Sequence, residues 1–248
     1  MALAIKEVSG AVVAIEVAAA GGSWGEPAIL GERPVSAGLT CIKRPPAPGA
    51  MLPTMRHTTL DVIHAEHQAL AAMLRSLGML LAQAQREKRP PDFDVLRAML
   101  LYVDEFPERL HHRKETDLLF PKVRERCPDL AAVLYRLERD HEAGERSVRA
   151  LEHALLAYEV MGEPRRERFE QHVAHYTRFY LEHMALEEAE VLPAARAAFT
   201  PQDWLELDAA FASHQDPSTG FEPTPEYQAL FRKILLTAPV PIGLGPAR

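Results

Sequence analysis

The apolar positions of this chain follow a helical period from Leu60 onward. In the first periodic segment, apolar side chains recur every three to four residues, which is the spacing of one face of an amphipathic helix. This pattern predicts a first long helix over about residues 59–88. The Pro90-Pro91 pair follows it, and proline cannot continue the hydrogen-bond ladder of a helix.

Three more long helices follow, joined by short connections. The second is expected over about residues 92–126, with kinks at Pro107 and Pro121. The third covers about residues 129–161 and the fourth about residues 165–198. Four long helices with short turns between them predict an all-α fold, an antiparallel up-down-up-down four-helix bundle.

The segments on either side of these helices differ in character. Residues 1–55 carry scattered Gly and Pro without a sustained helical period, so we expect an N-terminal extension of low order. Met51 and Met55 stand just before the first helix, and we expect translation to start at one of them. The bundle then occupies residues 56–199. Residues 200–248 are expected to form an appendage of short helices and an extended tail.

A polar motif recurs in the second and fourth helices. The segments HHRKETDLLFP, from His111 to Pro121, and HMALEEAEVLP, from His183 to Pro193, both place a His four residues before a Glu, and that Glu six residues before a Pro. Positions i and i+4 lie on one face of a helix, about 6 Å apart. A His and a Glu at that spacing can bind one metal ion. Two copies in matching apolar frames predict a two-metal site at the centre of the bundle.

Two further histidines are expected at the depth of these motifs. In an antiparallel hairpin, residues equally far from the turn lie at the same height. His67 and His111 are equally far from the first connection, and His141 and His183 from the third. An acidic residue precedes the first member of each pair. All four histidines should therefore converge on one layer.

Six side chains are the candidate metal ligands of this layer: His67, His111, Glu115, His141, His183 and Glu187. Imidazole and carboxylate donors suit iron, with manganese or zinc as alternatives, better than magnesium or calcium. Structural zinc sites usually take four ligands, so six favour two ions. The sequence leaves open whether His64, His112 or Glu145 completes the site. For His112, packing or support of another ligand is the favoured interpretation.

At these residues the chain resembles hemerythrin-like proteins with an HHE cation-binding domain. The motifs that carry the resemblance are AEH at 65–67, HHRKE at 111–115, RDH at 139–141 and HMALEE at 183–188. It covers about residues 58–198 and implies a four-helix bundle around two non-haem iron ions. Two carboxylates and an oxo or hydroxo group would bridge the ions, and the same six side chains would bind them. Proteins of this kind carry, sense or react with dioxygen.

The resemblance is incomplete in the third helix. Oxygen-carrying hemerythrins have a second His four residues after the first in this helix, and Glu145 occupies that position here. Only four of their five histidines are therefore matched. This disfavours reversible oxygen carriage and favours iron handling or a reaction with peroxide.

Charge and composition exclude several other classes of protein. The 248-residue chain has a formal net charge of −7 and no cluster of Lys and Arg with interleaved aromatics, so nucleic-acid binding is not expected. No apolar run approaches the roughly 18 residues of a membrane span, and no secretory signal is evident. Cys41 and Cys127 have no metal-binding spacing and are expected to be inert thiols. We therefore expect a soluble, cytoplasmic protein without a membrane partner.

The favoured function is a non-haem di-iron protein that binds dioxygen, peroxide or a related small ligand, or that senses or stores iron. A binding protein is favoured over an enzyme. The alternatives are a di-iron oxidoreductase that consumes peroxide or oxygen, and a metal-free helical adaptor. The Glu-x-x-His spacing at Glu108 and Glu138 also matches ferritin-like di-iron bundles, but that architecture leaves His183 and Glu187 unused. The protein partner and the oligomeric state stay open.

Overall fold

The computed structural model describes residues 57–213 and 216–238, together with the backbone of two short strands near the N-terminus. The strands, β1 (Leu3–Ile5) and β2 (Ile15–Val17), pair antiparallel. The rest of the predicted N-terminal extension lies outside the described residues, and so does the predicted extended tail beyond Ala238. From residue 57 onward the described chain is helical apart from its connections.

The helices follow the periodicity of the sequence closely. Their bounds are α1 (Thr58–Arg86), α2 (Phe93–Val103), α3 (His112–Lys114), α4 (Phe120–Arg126), α5 (Ala131–Met161), α6 (Arg166–Leu186), α7 (Leu192–Ala198), α8 (Pro201–Ala212) and α9 (Gln228–Thr237). Wider π-helical segments at Asp104–His111, Glu115–Leu119 and Glu187–Val191 join α2 to α3, α3 to α4, and α6 to α7. Within the part of the chain described, no helix is both long and apolar enough to cross a membrane.

The prolines explain why these helices widen instead of ending. Proline lacks an N–H and clashes with the carbonyl four residues earlier, so a regular α-helix cannot pass through it. In both copies of the repeated motif, the N–H before the proline donates to the carbonyl of the Glu five residues back, from Phe120 to Glu115 and from Leu192 to Glu187. A third proline, Pro107, lies inside the first π segment. Such π turns are frequent at functional sites, and two of these begin at candidate ligands.

The helices bury two separate hydrophobic clusters. Helix α1 contacts α2 and α6, and α5 contacts the same two helices. One cluster lies towards the α1–α2 and α5–α6 connections and includes Leu77, Leu96, Leu151 and Phe169. The other lies towards the α4–α5 connection and includes Ile63, Phe120, Leu137 and Ala195. The polar motifs occupy the positions between the two clusters on each helix.

The C-terminal helices pack against this core. Helix α9 contacts α2. Phe231 on α9 meets Phe106 of the π segment that follows α2 edge-to-face, and the hydroxyl of Tyr227, just before α9, donates to Glu105 of the same segment. Helix α8 contacts α1, and the backbone N–H and hydroxyl of Thr59 both donate to Asp208. The appendage therefore covers the first and second helices of the chain.

The expectation of inert thiols is wrong for Cys127. This residue, at the end of α4, is buried and disulfide-bonded. Cys41 lies outside the described residues. Because disulfides persist mainly in oxidising compartments, the cysteines no longer support the expected cytoplasmic location.

The start of α8 offers a test of how firmly the appendage is held. The Thr200 hydroxyl accepts from the N–H of Asp203, and the Asp203 carboxylate accepts from the backbone N–H of Thr200, which forms a reciprocal capping box. We expect Thr200→Ala to lower the free energy of unfolding by about 1 kcal/mol, because it leaves a helical N–H without its acceptor. Urea denaturation measures this change. Thr200→Ser keeps the oxygen and should stay close to wild type, and equal losses in the two variants would contradict the role of the cap.

Candidate metal centre

Four histidines from four helical segments meet between the two hydrophobic clusters. His67 lies on α1, His111 ends the first π segment, His141 lies on α5 and His183 on α6, and all four are buried. The ring centroids of His67 and His111 are 5.1 Å apart. The Nε2 atoms of His141 and His183 are 3.1 Å apart. His67 thus lies at the same height as His111, and His141 at the same height as His183, as their equal distances from the connections predicted.

The carboxylate of Glu115 lies between the two histidine pairs. Its Oε1 is 2.9 Å from His111 Nε2 and 3.9 Å from His67 Nε2, and its Oε2 is 3.5 Å from His141 Nε2. The second carboxylate, Glu187, places Oε2 3.6 Å from His67 Nε2. The structure therefore brings all six candidate side chains into one layer. Glu115 faces the two pairs with different oxygens, as a bridging carboxylate does.

A seventh side chain, His112, also lies in this layer. Single donor atoms of His112, Glu115, His141 and His183 all lie within 4.8 Å of one another. The donor atoms of His67, His111 and Glu115 form a second set of the same kind. The described residues thus form two sets of donors that share Glu115.

Packing or support of another ligand is the interpretation of His112 that the sequence favours, and the structure places one of its ring nitrogens among the donor atoms. The spacing of Glu108, His111, His112 and Glu115 is i, i+3, i+4, i+7, which is one face of a helix, and this signal could have identified it. The other two residues that the sequence left open, His64 and Glu145, lie elsewhere. His64 is half-exposed beside Glu188, at 3.5 Å, and Glu145 is exposed beside Arg149, at 3.9 Å.

Most polar atoms at the centre of the layer have no hydrogen bond of good geometry to any described residue. They are Nε2 of His67, His111 and His112 and both carboxylate oxygens of Glu115 and Glu187. Buried polar atoms are almost always hydrogen-bonded, because leaving one unpaired is costly. These atoms converge, and all of them are lone-pair donors when the imidazoles are neutral and the carboxylates ionised. A cation satisfies such a set, so the residues present fit a metal site.

The outward ring nitrogens of the four histidines face polar partners. His67 Nδ1 is 2.9 Å from Glu188, His111 Nδ1 is 2.6 Å from Glu66, His141 Nδ1 is 2.8 Å from the hydroxyl of Thr116, and His183 Nδ1 is 3.6 Å from Asp140. Partners of this kind fix the orientation of a ligating ring and increase its basicity. Glu66, which precedes His67, therefore lies against His111 of the neighbouring helix, and Asp140, which precedes His141, lies beside His183.

Burial and the central carboxylate give the histidines different proton affinities. Desolvation lowers the pKa of His67, His112 and His141, so their imidazoles are neutral at pH 7. Burial acts on His111 in the same direction, but the adjacent charge of Glu115 helps to outweigh it, and the pKa of His111 lies well above its ordinary value. Without a cation, His111 therefore carries a proton.

The two carboxylates shift in opposite directions. Burial acts to raise the pKa of Glu115, but the charge of His111 and the nearby ring nitrogens of His111 and His141 hold that pKa well below its ordinary value. Burial and the negative charge of Glu115 raise the pKa of Glu187 well above its ordinary value. Without a cation, the layer therefore contains an ionised Glu115 and a protonated Glu187.

A chain whose described residues from 57 onward are helical and bury a layer of His and Glu donors belongs to the class of helical cation-binding proteins. The family model of the hemerythrin HHE cation binding domain matches residues 58–195, which is more than half of the chain. The chain therefore belongs to the hemerythrin HHE cation-binding family. No curated protein matches the sequence. The family and the donor cluster together indicate metal binding, with iron as the metal that the family suggests.

The π turn that starts at Glu187 can be tested through its proline. Pro193→Ala restores a backbone N–H, so the helix can return to the regular α ladder and turn Glu187 away from His67. We expect about a 10-fold or greater loss of Co²⁺ affinity, as for other residues that orient a ligand, measured by titration of the metal-free protein. Pro164→Ala, at the exposed α5–α6 turn, is the control and should bind as wild type does. Unchanged affinity in Pro193→Ala would show that the π turn does not position Glu187.

Proposed function

We propose that the protein is a non-haem di-iron protein that binds dioxygen, peroxide or a related small ligand. The observation that carries this proposal is the pair of donor sets that share the buried carboxylate of Glu115. A single ion would leave one set of imidazoles without a partner. Sensing or storage of iron would use the same site.

The ligands divide into two groups around Glu115. His67, His111 and Glu187 would bind the first ion, and His112, His141 and His183 the second. Glu115 would bridge the ions, because each of its oxygens faces one group. Nitrogen and oxygen donors without thiolate favour iron over structural zinc. Bound iron would supply reversible redox chemistry.

The helix contacts support the proposed antiparallel up-down-up-down bundle. Helices α1, α2, α5 and α6 form a closed ring in which each contacts the next. Histidines equally far from a connection meet across it, as in a hairpin with antiparallel arms. In such a bundle, side chains on facing helices build the cofactor site in the core.

The presence of His112 in the layer favours binding of a small ligand over storage of iron. The sequence argued against oxygen binding because Glu145 replaces the fifth histidine of the oxygen carriers. A fifth buried imidazole is nevertheless present, supplied from the second long helix instead of the third. With Glu115 counted for both, each ion would have four protein donors: two imidazoles and Glu187 for the first, and three imidazoles for the second. The fifth imidazole restores the number of histidines that the oxygen carriers have, which supports small-ligand binding.

The surroundings of the layer favour a small ligand over an organic substrate. The hydrophobic clusters lie on both sides of it, and all seven side chains are at most 7% exposed. A diatomic or peroxide-sized molecule can reach such a site through small fluctuations of the packing. The enzymatic alternative, turnover of peroxide, uses the same enclosed site.

Metal content and spectroscopy test this proposal together. We expect two iron ions per chain in the wild type, about one in His112→Ala, and two in Glu145→Ala, the control at the position that the oxygen carriers fill with histidine. Elemental analysis gives the stoichiometry. A visible spectrum that reverses between oxygen and argon supports ligand binding, whereas steady consumption of peroxide supports the enzyme. Protein without bound metal and with a melting temperature indifferent to chelators would show a metal-free adaptor.

Metal loading should release protons. Ligation requires a neutral His111 and an ionised Glu187, and the pKa values of both lie above their ordinary values without metal. We expect about two protons per pair of ions at pH 7. Titration calorimetry in two buffers of different ionisation enthalpy measures them. Glu187→Gln has no carboxyl proton to lose and should release about one fewer. As pH falls, protons compete with the ions and metal is lost, so full retention of iron at pH 4 would contradict this ligand set.

A further inference from the structure

The ring of His112 is held on both faces. The ring of Tyr180 stacks on it at a centroid distance of 5.1 Å and an angle of 4°, and that of His141 at 4.4 Å and 15°. Rotation of the imidazole about its Cβ–Cγ bond would break both stacking contacts. The plane of His112 is therefore set by packing from α5 and α6.

The edge of the same ring is held by a buried carboxylate. Glu108, one turn before His112, places Oε2 3.3 Å from His112 Nδ1. Its other oxygen, Oε1, accepts from the hydroxyls of Tyr176 and Tyr180. All four side chains are buried, and a buried carboxylate needs such donors to offset its desolvation. With Nδ1 engaged by Glu108, the Nε2 of His112 is left to face the donor set that includes Glu115.

A glycine in α5 makes room for this arrangement. A Cβ atom at Gly144 would lie 1.7 Å from the Tyr180 hydroxyl oxygen and 2.9 Å from Glu108 Oε1. No side chain larger than hydrogen fits there without moving the tyrosine. Glycine weakens a helix interior relative to alanine, so the space that it leaves explains its presence in the middle of α5.

We propose that Glu108, Tyr176 and Tyr180 are positioning residues that fix His112 as a ligand of the second ion, and that Gly144 is required to admit them. This inference rests on the proposed di-iron function. Tyr176 and Tyr180 hold Glu108, Glu108 orients the His112 ring, and Tyr180 also stacks on that ring. The outer nitrogens of His67 and His111 lie against Glu188 and Glu66 instead, so the first ion should not depend on the three positioning residues.

The test compares the affinities of the two ions in matched variants. We expect Gly144→Ala to weaken one of the two Fe²⁺ ions by about 10–100-fold and to leave the other unchanged, as measured by competition with a chelator under anaerobic conditions. Gly78→Ala is the control, since a Cβ atom at Gly78 meets no atom within 4 Å. Tyr176→Phe needs no extra space and should weaken the same ion. This variant keeps the inference testable if Gly144→Ala does not fold.

The outcomes separate this inference from the proposed function. A wild type with fewer than two ions would overturn the proposed function. Two ions in the wild type with unchanged affinities in folded Gly144→Ala and Tyr176→Phe would overturn the inference alone. An equal loss of both ions would also overturn it, because it would show a general structural effect. In the double variant with Tyr180→Phe, the effect of Gly144→Ala should be less than additive, since the closest collision of the new methyl group, with the hydroxyl at 1.7 Å, is gone and only those with the ring carbon at 2.7 Å and Glu108 Oε1 at 2.9 Å are left.

Discussion

Seven ionisable side chains lie buried in one layer between two hydrophobic clusters, and the arrangement of the helices depends on how these side chains are paired. Carboxylates and imidazoles are costly to bury without partners, and the partners within the described chain satisfy only the outer edge of the layer. Glu66, Glu188 and Thr116 hold ring nitrogens on the outside, while the inner atoms face one another. In the metal-binding state that we propose, cations complete the interior, so the stability of the fold and metal binding are coupled.

The same outer partners tie the helices together in register. Glu66 precedes His67 on α1 but bonds to His111, and Asp140 precedes His141 on α5 but lies beside His183 on α6. A shift of one helix by a single residue would turn each of these side chains about 100° away from its partner. The polar layer thus specifies the alignment of the long helices, which the two apolar clusters alone would fix less strictly.

Much of this arrangement follows from the sequence because it depends on periodicity and distance from the turns. The long helices and the level of the four histidines could be predicted in this way. The comparison of the two motifs gave no signal for His112, because it relied on features present in both copies and the second copy has Met184 at the matching position; only the spacing of polar residues along the second helix could have identified it. The π turns were also missed. The prolines indicated a kink, but a helical wheel assumes a constant rotation per residue and cannot represent a turn that widens to hold Glu115 and Glu187.

The mismatch between His112 and Met184 has an electronic consequence. An imidazole donates to iron more strongly than a thioether does, and Met184 is a buried apolar side chain next to His183. In the proposed pair, His112 from the first half of the sequence would bind the ion held by His141 and His183, and Glu187 from the second half would bind the ion held by His67 and His111. The first ion would then have an anionic carboxylate where the second has a neutral imidazole. Charge is then distributed unevenly across a site that the sequence repeat presents as symmetric.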